Sequence, residues 1–253
     1  MKFLTLYHKE ILENARNYKL ISVVLIFAFF GLASPLAAYY IPDIMAYATK
    51  SQNIKIEIPP PTYHDALMQY VKNISQMCVF IMIIINMGIV SGEKDRGTAV
   101  FLLVKPVSRK GFIFAKLASV FSISALALLT SFILCALYTY LFFNVIPVRI
   151  FILQNLLIYL YLICILSVTV MFSSLFSSQI PAGILTFFVW ILFTLFSQFG
   201  KAGTYSPDHL IGNASVLSAG GPVDSGALIS TAVITVIATA VALITFERWE
   251  PNK

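Results

Sequence analysis

Six long runs of apolar residues dominate the chain, and none of them contains a charged side chain. They cover residues 20–41, 74–90, 117–143, 150–172, 180–199 and 227–246. The hydrocarbon core of a bilayer, about 30 Å thick, requires roughly 20 apolar residues in a helix. Because unpaired backbone groups are costly in lipid, such runs cross as helices. The pattern predicts an all-α, polytopic membrane protein with six transmembrane helices in a single domain, residues 1–253.

The polar residues before the first run follow a helical period. Across residues 1–19, one face would carry Leu4, Tyr7, Ile11, Ala15 and Tyr18, and the opposite face Lys2, Lys9, Glu13 and Arg16. This spacing is typical of an amphipathic helix that lies in the membrane interface. A solvated extension with basic anchors is the alternative.

The distribution of basic residues predicts the orientation. Of the 17 Lys and Arg residues, 12 lie in the segments on the same side as the two termini and 5 lie on the other side. The positive-inside rule therefore predicts a multi-pass membrane protein with both termini in the cytoplasm. The net charge of +6 is then a feature of topology and gives no support for a nucleic-acid partner.

Composition excludes a soluble enzyme, since 59% of the residues are apolar, 11% are charged and the mean hydropathy is +0.88. Cys78, Cys135 and Cys164 lie inside apolar runs, and the three histidines are scattered, so we predict no metal site and no cofactor in this chain. The sequence has no catalytic cluster and no phosphate-binding pattern G-x-x-x-x-G-K-[ST]. We predict that the chain is not catalytic by itself.

The connection between the second and third runs holds most of the remaining information. It is dense in charge at residues 91–96, apolar at 98–104 and basic again from Lys105. The apolar part is too short to span, Pro106 blocks a helix, and Ser108 is suited to cap the helix that leads into the third run. The layout predicts a short helix along the membrane surface. The alternative is that its basic residues only keep the loop on one side.

This connection resembles that of a known family, the membrane permeases of ABC transporters of the type-2, exporter-like class. The shared features are the form E-x-x-x-G-T, here Glu93, Gly97 and Thr98, and then P-x-S-R, here Pro106, Ser108 and Arg109. The six spans, the N-terminal amphipathic helix and the small polar connection at residues 173–178 are also similar. The resemblance covers nearly the whole chain, and it implies that the protein lies in a plasma membrane, a bacterial cytoplasmic membrane.

The resemblance implies a half-transporter in which two permeases, identical or homologous, each dock on a cytoplasmic ABC ATPase that binds ATP and Mg²⁺. The connection would be the ATPase-coupling loop, with Glu93 and Arg96 pairing at the interface and Gly97 permitting a tight turn. In the family, the region corresponding to residues 200–226 forms short re-entrant helices; an ordinary loop is the alternative. Two other functions stay open: an integral-membrane enzyme acting on lipids or prenyl chains, and a non-transporting scaffold.

Overall fold

A computed structural model describes residues 3–50, 60–98, 108–217, 221 and 223–250, and these residues form helices and their connections, with no strand. The all-α prediction is confirmed. The helices are α1 (Phe3–Arg16), α2 (Lys19–Lys50), α3 (Tyr63–Asn73), a π-helical turn (Ile74–Cys78), α4 (Val79–Asn86), α5 (Ser91–Asp95), α6 (Arg109–Phe143), α7 (Val148–Leu175), α8 (Gln179–Phe196), α9 (Gly200–Gly203), α10 (His209–Leu217) and α11 (Ser225–Glu247).

The described residues contain six helical stretches long and apolar enough to cross a membrane, in agreement with the prediction. They are Lys19–Ile44, Tyr63–Asp95, Arg109–Phe143, Val148–Leu175, Gln179–Phe196 and Ser225–Glu247. All but one of these stretches contain the whole predicted run. The exception is the fifth in chain order, which ends at Phe196, three residues before the end of the run predicted at 180–199. Most of these helical stretches extend beyond the apolar run and include charged residues, because a helix ends at a cap or a turn and not at the edge of the lipid.

The bundle is arranged around α7, which is the most enclosed of the spanning helices, whereas α8 lies at the periphery. Helix α11 packs along α7, and α2 packs along α6. The approach of α2 to α6 is close at Gly31, where an added Cβ would lie 2.6 Å from the backbone oxygen of Ser131. A small residue at this crossing lets the two backbones pack directly against each other.

Helix α1 packs against α6, and a turn at Tyr18, with a φ of 58°, joins it to α2. Its buried residues are Leu6 and Glu10, while Leu4 and Tyr18 are exposed. A helix therefore forms in this segment, but the side that packs on the bundle includes the acidic Glu10 and is not the predicted apolar face. Its position in the membrane interface stays a prediction.

The two ends of the bundle differ in chemistry. What we call the charged end carries α1, α5, the start of α6, the α7–α8 connection and the last turn of α11. The opposite end carries α9 and α10, so residues 200–226 include two short helices. Helix α10 packs against α7, where the Gln154 side-chain amide donates to the Ala214 carbonyl at 2.7 Å.

Candidate functional site

Ser173, near the end of α7, binds the start of α5. The Ser173 Oγ accepts hydrogen bonds from the backbone N–H groups of Val90 and Ser91, both at 3.0 Å. The first N–H groups of a helix lack partners within the helix, so this side chain satisfies groups that would otherwise be buried unpaired. The loop that follows the second span is thereby fixed to the end of the fourth.

Lys94 makes a second connection between the same elements. Its ammonium donates to the backbone oxygen of Ser174 and lies 5.9 Å from the ring centre of Phe246 and 5.4 Å from that of Trp249. Aromatic faces attract cations at these distances. Lys94 thus links α5 to the end of α7 and to the last turn of α11.

An ion-pair cluster, formed by Lys9, Glu10, Glu13, Glu93 and Lys116, ties α1, α5 and α6 together. The Lys116 Nζ lies 3.0 Å from Glu10 Oε2 and 2.6 Å from Glu93 Oε1. The Lys9 Nζ lies 3.0 Å from Glu10 Oε1, 2.9 Å from Glu13 Oε2 and 3.6 Å from Glu93 Oε1. Two ammonium groups are shared among three carboxylates.

Burial makes the centre of this cluster energetically sensitive. The side chains of Lys116, Glu10 and Glu93 are 2%, 5% and 14% exposed. Removing one member of a buried pair leaves an uncompensated charge and costs about 3–5 kcal/mol, although the intact pair adds little net stability. Within the described residues, Glu93 Oε2 is buried and accepts no hydrogen bond, so Glu93 depends on its ion pairs.

The pKa values on α1 agree with this arrangement. Burial by itself would raise the pKa of Glu10, but Lys116 and Lys9 outweigh it and hold that pKa below its ordinary value of 4.5. Burial would lower the pKa of Lys9, whereas Glu10, Glu93 and Glu13 raise it above 10.5. Both groups are therefore charged at neutral pH, and the cluster is ionic when folded.

The other predicted residues near Glu93 form a turn. Gly97 has a φ of 68°, a conformation that glycine adopts without steric cost, and its N–H donates to the Lys94 carbonyl at 3.1 Å. The Thr98 hydroxyl donates to the Glu93 carbonyl at 3.3 Å. Arg96 is exposed and ends α5. A hydrogen-bonded turn therefore follows α5 directly.

The far end of the predicted loop is fixed to another helix. As predicted, Ser108 caps α6: its Oγ accepts from the N–H of Gly111 at 3.1 Å. The guanidinium of Arg109 donates to the carbonyls of Glu247 and Trp249, at 2.6 and 2.9 Å, at the end of α11. The predicted surface helix at residues 98–104 lies outside the described residues except for Thr98, and so does Pro106.

A polar cleft of about 720 Å³ opens beside the ion-pair cluster. All five cluster members line it, together with the start of α2 at Lys19, the end of α4 at Ile84 and Ile85, and Arg96 beyond α5. Its remaining boundary includes Gln179 at the start of α8. The cleft is therefore lined by residues of six helices, α1, α2, α4, α5, α6 and α8.

The carboxylates of Glu10, Glu13 and Glu93 come within 4.8 Å of one another, a grouping that sequence reasoning missed. A divalent metal would have to compete with the ammonium groups of Lys9 and Lys116, which already pair with these carboxylates. The arrangement is that of an internal ion-pair network rather than of the water-rich, carboxylate-only sites that hold Mg²⁺ beside phosphate.

Sequence reasoning also missed Glu10, Lys116 and Ser173 as anchors of the loop. One signal was available, since Glu10 lies between the two predicted faces of α1 and Lys116 directly precedes a charge-free run. Neither position by itself identifies a partner, because Glu10 and Lys116 are 106 residues apart.

Comparison with known proteins gives two matches. The family model described as ABC-2 family transporter protein matches residues 4–206, which include α1, the loop and the cluster. The transmembrane protein YxlG of Bacillus subtilis (strain 168), which is uncharacterized, is 26% identical over 114 residues, or 45% of this chain. That match covers 44% of the relative's length.

Proposed function

The chain belongs to the ABC-2 family of transporter proteins, and we propose that it is the transmembrane permease subunit of an ATP-driven exporter. A separate cytoplasmic ABC ATPase binds ATP and Mg²⁺, and a second permease, identical or homologous, completes the transporter. Both termini are cytoplasmic in a plasma membrane, an orientation that the excess of Lys and Arg at the charged end supports.

The observation that carries this proposal is the anchoring of the loop between the second and third spans. Its first part is bound to α1 and α6 through Glu93, and to the end of α7 through Ser173. Its last part is bound to the end of α11 through Arg109. A push on a segment tied to four helices moves them together instead of deforming the loop alone.

Coupling then works as a rigid-body transition. Closure of the ATPase presses on the loop, and the ion-pair cluster transmits the displacement to α1 and α6. Packed helices respond by shifting between discrete arrangements, which moves the opposite end of the bundle. Glu93 acts here as the connection between loop and bundle, and the exposed Arg96 is available to the ATPase.

Charge reversal of Glu93 tests this mechanism. Glu93→Lys places a third ammonium beside Lys9 and Lys116, so we expect ATP hydrolysis to continue without driving movement of the bundle. Asp95→Lys is the matched control, since Asp95 is exposed and makes no ion pair with another described residue.

The movement can be measured without knowing the cargo. All three native cysteines are buried, so a Lys201→Cys probe at the opposite end reports specifically by its rate of maleimide labelling. We expect ATP to change this rate in the parent and in Asp95→Lys, but not in Glu93→Lys. An unchanged ATP response in Glu93→Lys, with normal membrane insertion, would contradict the coupling role.

A further inference from the structure

Two cations in the polar cleft stand outside the ion-pair cluster. Lys19 stands at the start of α2 and Arg96 at the end of α5, and both line the cleft. Within the described residues neither forms an ion pair, whereas every carboxylate of the neighbouring cluster has at least one ammonium partner. Lys9 and Lys116 thus pair with all three carboxylates of the cluster, which keeps one excess negative charge, and Lys19 and Arg96 take no part in these pairs.

The charges of the cleft favour an anion beside Lys19 and Arg96. The cluster contributes two ammonium groups and three carboxylates, so the addition of Lys19 and Arg96 leaves the lining with one net positive charge. Lys116 and Arg96 repel the charge of Lys19, whereas Glu13 and Glu10 attract it. A phosphate between Lys19 and Arg96 would relieve that repulsion.

One wall of the cleft is apolar. Ile84 and Ile85 belong to α4, in the second span, and Ile89 follows it. The Ile84 side chain is 42% exposed. The cleft therefore lies at the boundary where the apolar surface of a span meets charged helix ends, and it presents a cationic head and an apolar flank to the same ligand.

We propose that the polar cleft binds an amphiphile with an anionic phosphate head group. The phosphate lies between Lys19 and Arg96, and the hydrocarbon chain follows Ile84 and Ile85 along α4. Phosphate accepts charge-assisted hydrogen bonds from both cations, and acyl chains bury the isoleucine surface. This binding does not require an ATPase, so it stands or falls independently of the transport mechanism.

Native mass spectrometry of the purified full chain tests the site. Mixed micelles supply phosphatidylglycerol as the anionic probe and phosphatidylcholine as the zwitterionic one, and inorganic phosphate is added separately. The test variant is Lys19→Gln/Arg96→Gln. The control is Arg149→Gln/Lys201→Gln, which removes one Arg and one Lys at exposed positions of the opposite end.

We expect phosphatidylglycerol to be retained by the parent and the control, and its apparent affinity to fall about tenfold or more in the test variant, since each basic residue near a membrane surface contributes roughly 1 kcal/mol. Lys19→Arg/Arg96→Lys keeps both charges and should keep the lipid. Equal loss in test and control variants would overturn the site. Binding of inorganic phosphate without retention of phosphatidylglycerol would overturn its assignment to an amphiphile.

Discussion

Replacing Lys116 with methionine removes the ammonium that Glu10 and Glu93 share, while keeping a side chain of similar length. Two buried carboxylates then depend on Lys9 alone, which lies 3.0 Å from Glu10 and 3.6 Å from Glu93. The loss of one partner from a buried pair costs about 3–5 kcal/mol. Because Lys9 partly compensates, we expect the lower end, about 3 kcal/mol, as destabilisation of α1 docking.

Hydrogen exchange on α1 measures this cost directly, since local opening of the helix exposes its amides. A loss of about 3 kcal/mol corresponds to roughly a hundredfold faster exchange. Lys110→Met is the control on the same helix, α6. Its partner is Glu247 at 3.6 Å, and the two side chains are 61% and 50% exposed. Such surface pairs contribute about 0–1 kcal/mol, so exchange should change less than about fivefold.

A double-mutant cycle then separates the ion pair from packing. Glu10→Leu/Lys116→Met removes two opposite charges together, so we expect it to be less destabilised than the sum of its single variants. If Lys116→Met exchanges no faster on α1 than Lys110→Met does, the ion-pair cluster does not hold α1 on the bundle and the reasoning is refuted.

Three other predictions follow from the same end of the bundle. Ser173→Ala leaves two backbone N–H groups of the α5 start without an acceptor, which should cost about 1–3 kcal/mol and accelerate their exchange; unchanged exchange would contradict the cap. Gly97→Ala should destabilise the turn by about 1 kcal/mol because of its positive φ, whereas Gly92→Ala, inside α5 and with open space at its Cβ position, should be neutral or stabilising by up to about 1 kcal/mol in chemical unfolding. The lowered pKa of Glu10 stabilises the fold above pH 4.5 and this contribution is lost as the pH falls below it, so acid unfolding of Glu10→Gln should be less steep than that of the parent.

The six spans could be predicted because their signal is local. A charge-free run of about 20 residues has few stable alternatives in a membrane, and five of the six predicted runs lie wholly within a spanning stretch. The ends were harder to predict. The apolar run 180–199 continues past the end of α8 at Phe196, whereas the start of α6 at Arg109 was predicted because Ser108 is a suitable cap.

The candidate site could be predicted only in part. The turn at Gly97 and the cap at Ser108 follow from residue types at fixed local positions. The ion pair between Glu93 and Lys116 could not be predicted in this way. The two residues are 23 positions apart, and other basic residues lie nearer to Glu93 in the sequence. The buried Glu10 was missed because helical periodicity sorts residues by polarity, and a paired carboxylate on the packed face is an exception to that sorting.

We propose above all that this chain works with a separate ATPase. The most direct test is gentle solubilisation of native membranes, capture of this chain and determination of the stoichiometry of its partners by mass spectrometry. The account predicts an ATPase with a P-loop at one copy per permease. Recovery of the chain alone, or with a partner that does not bind ATP, under conditions that preserve a reference membrane complex from the same membranes would contradict it.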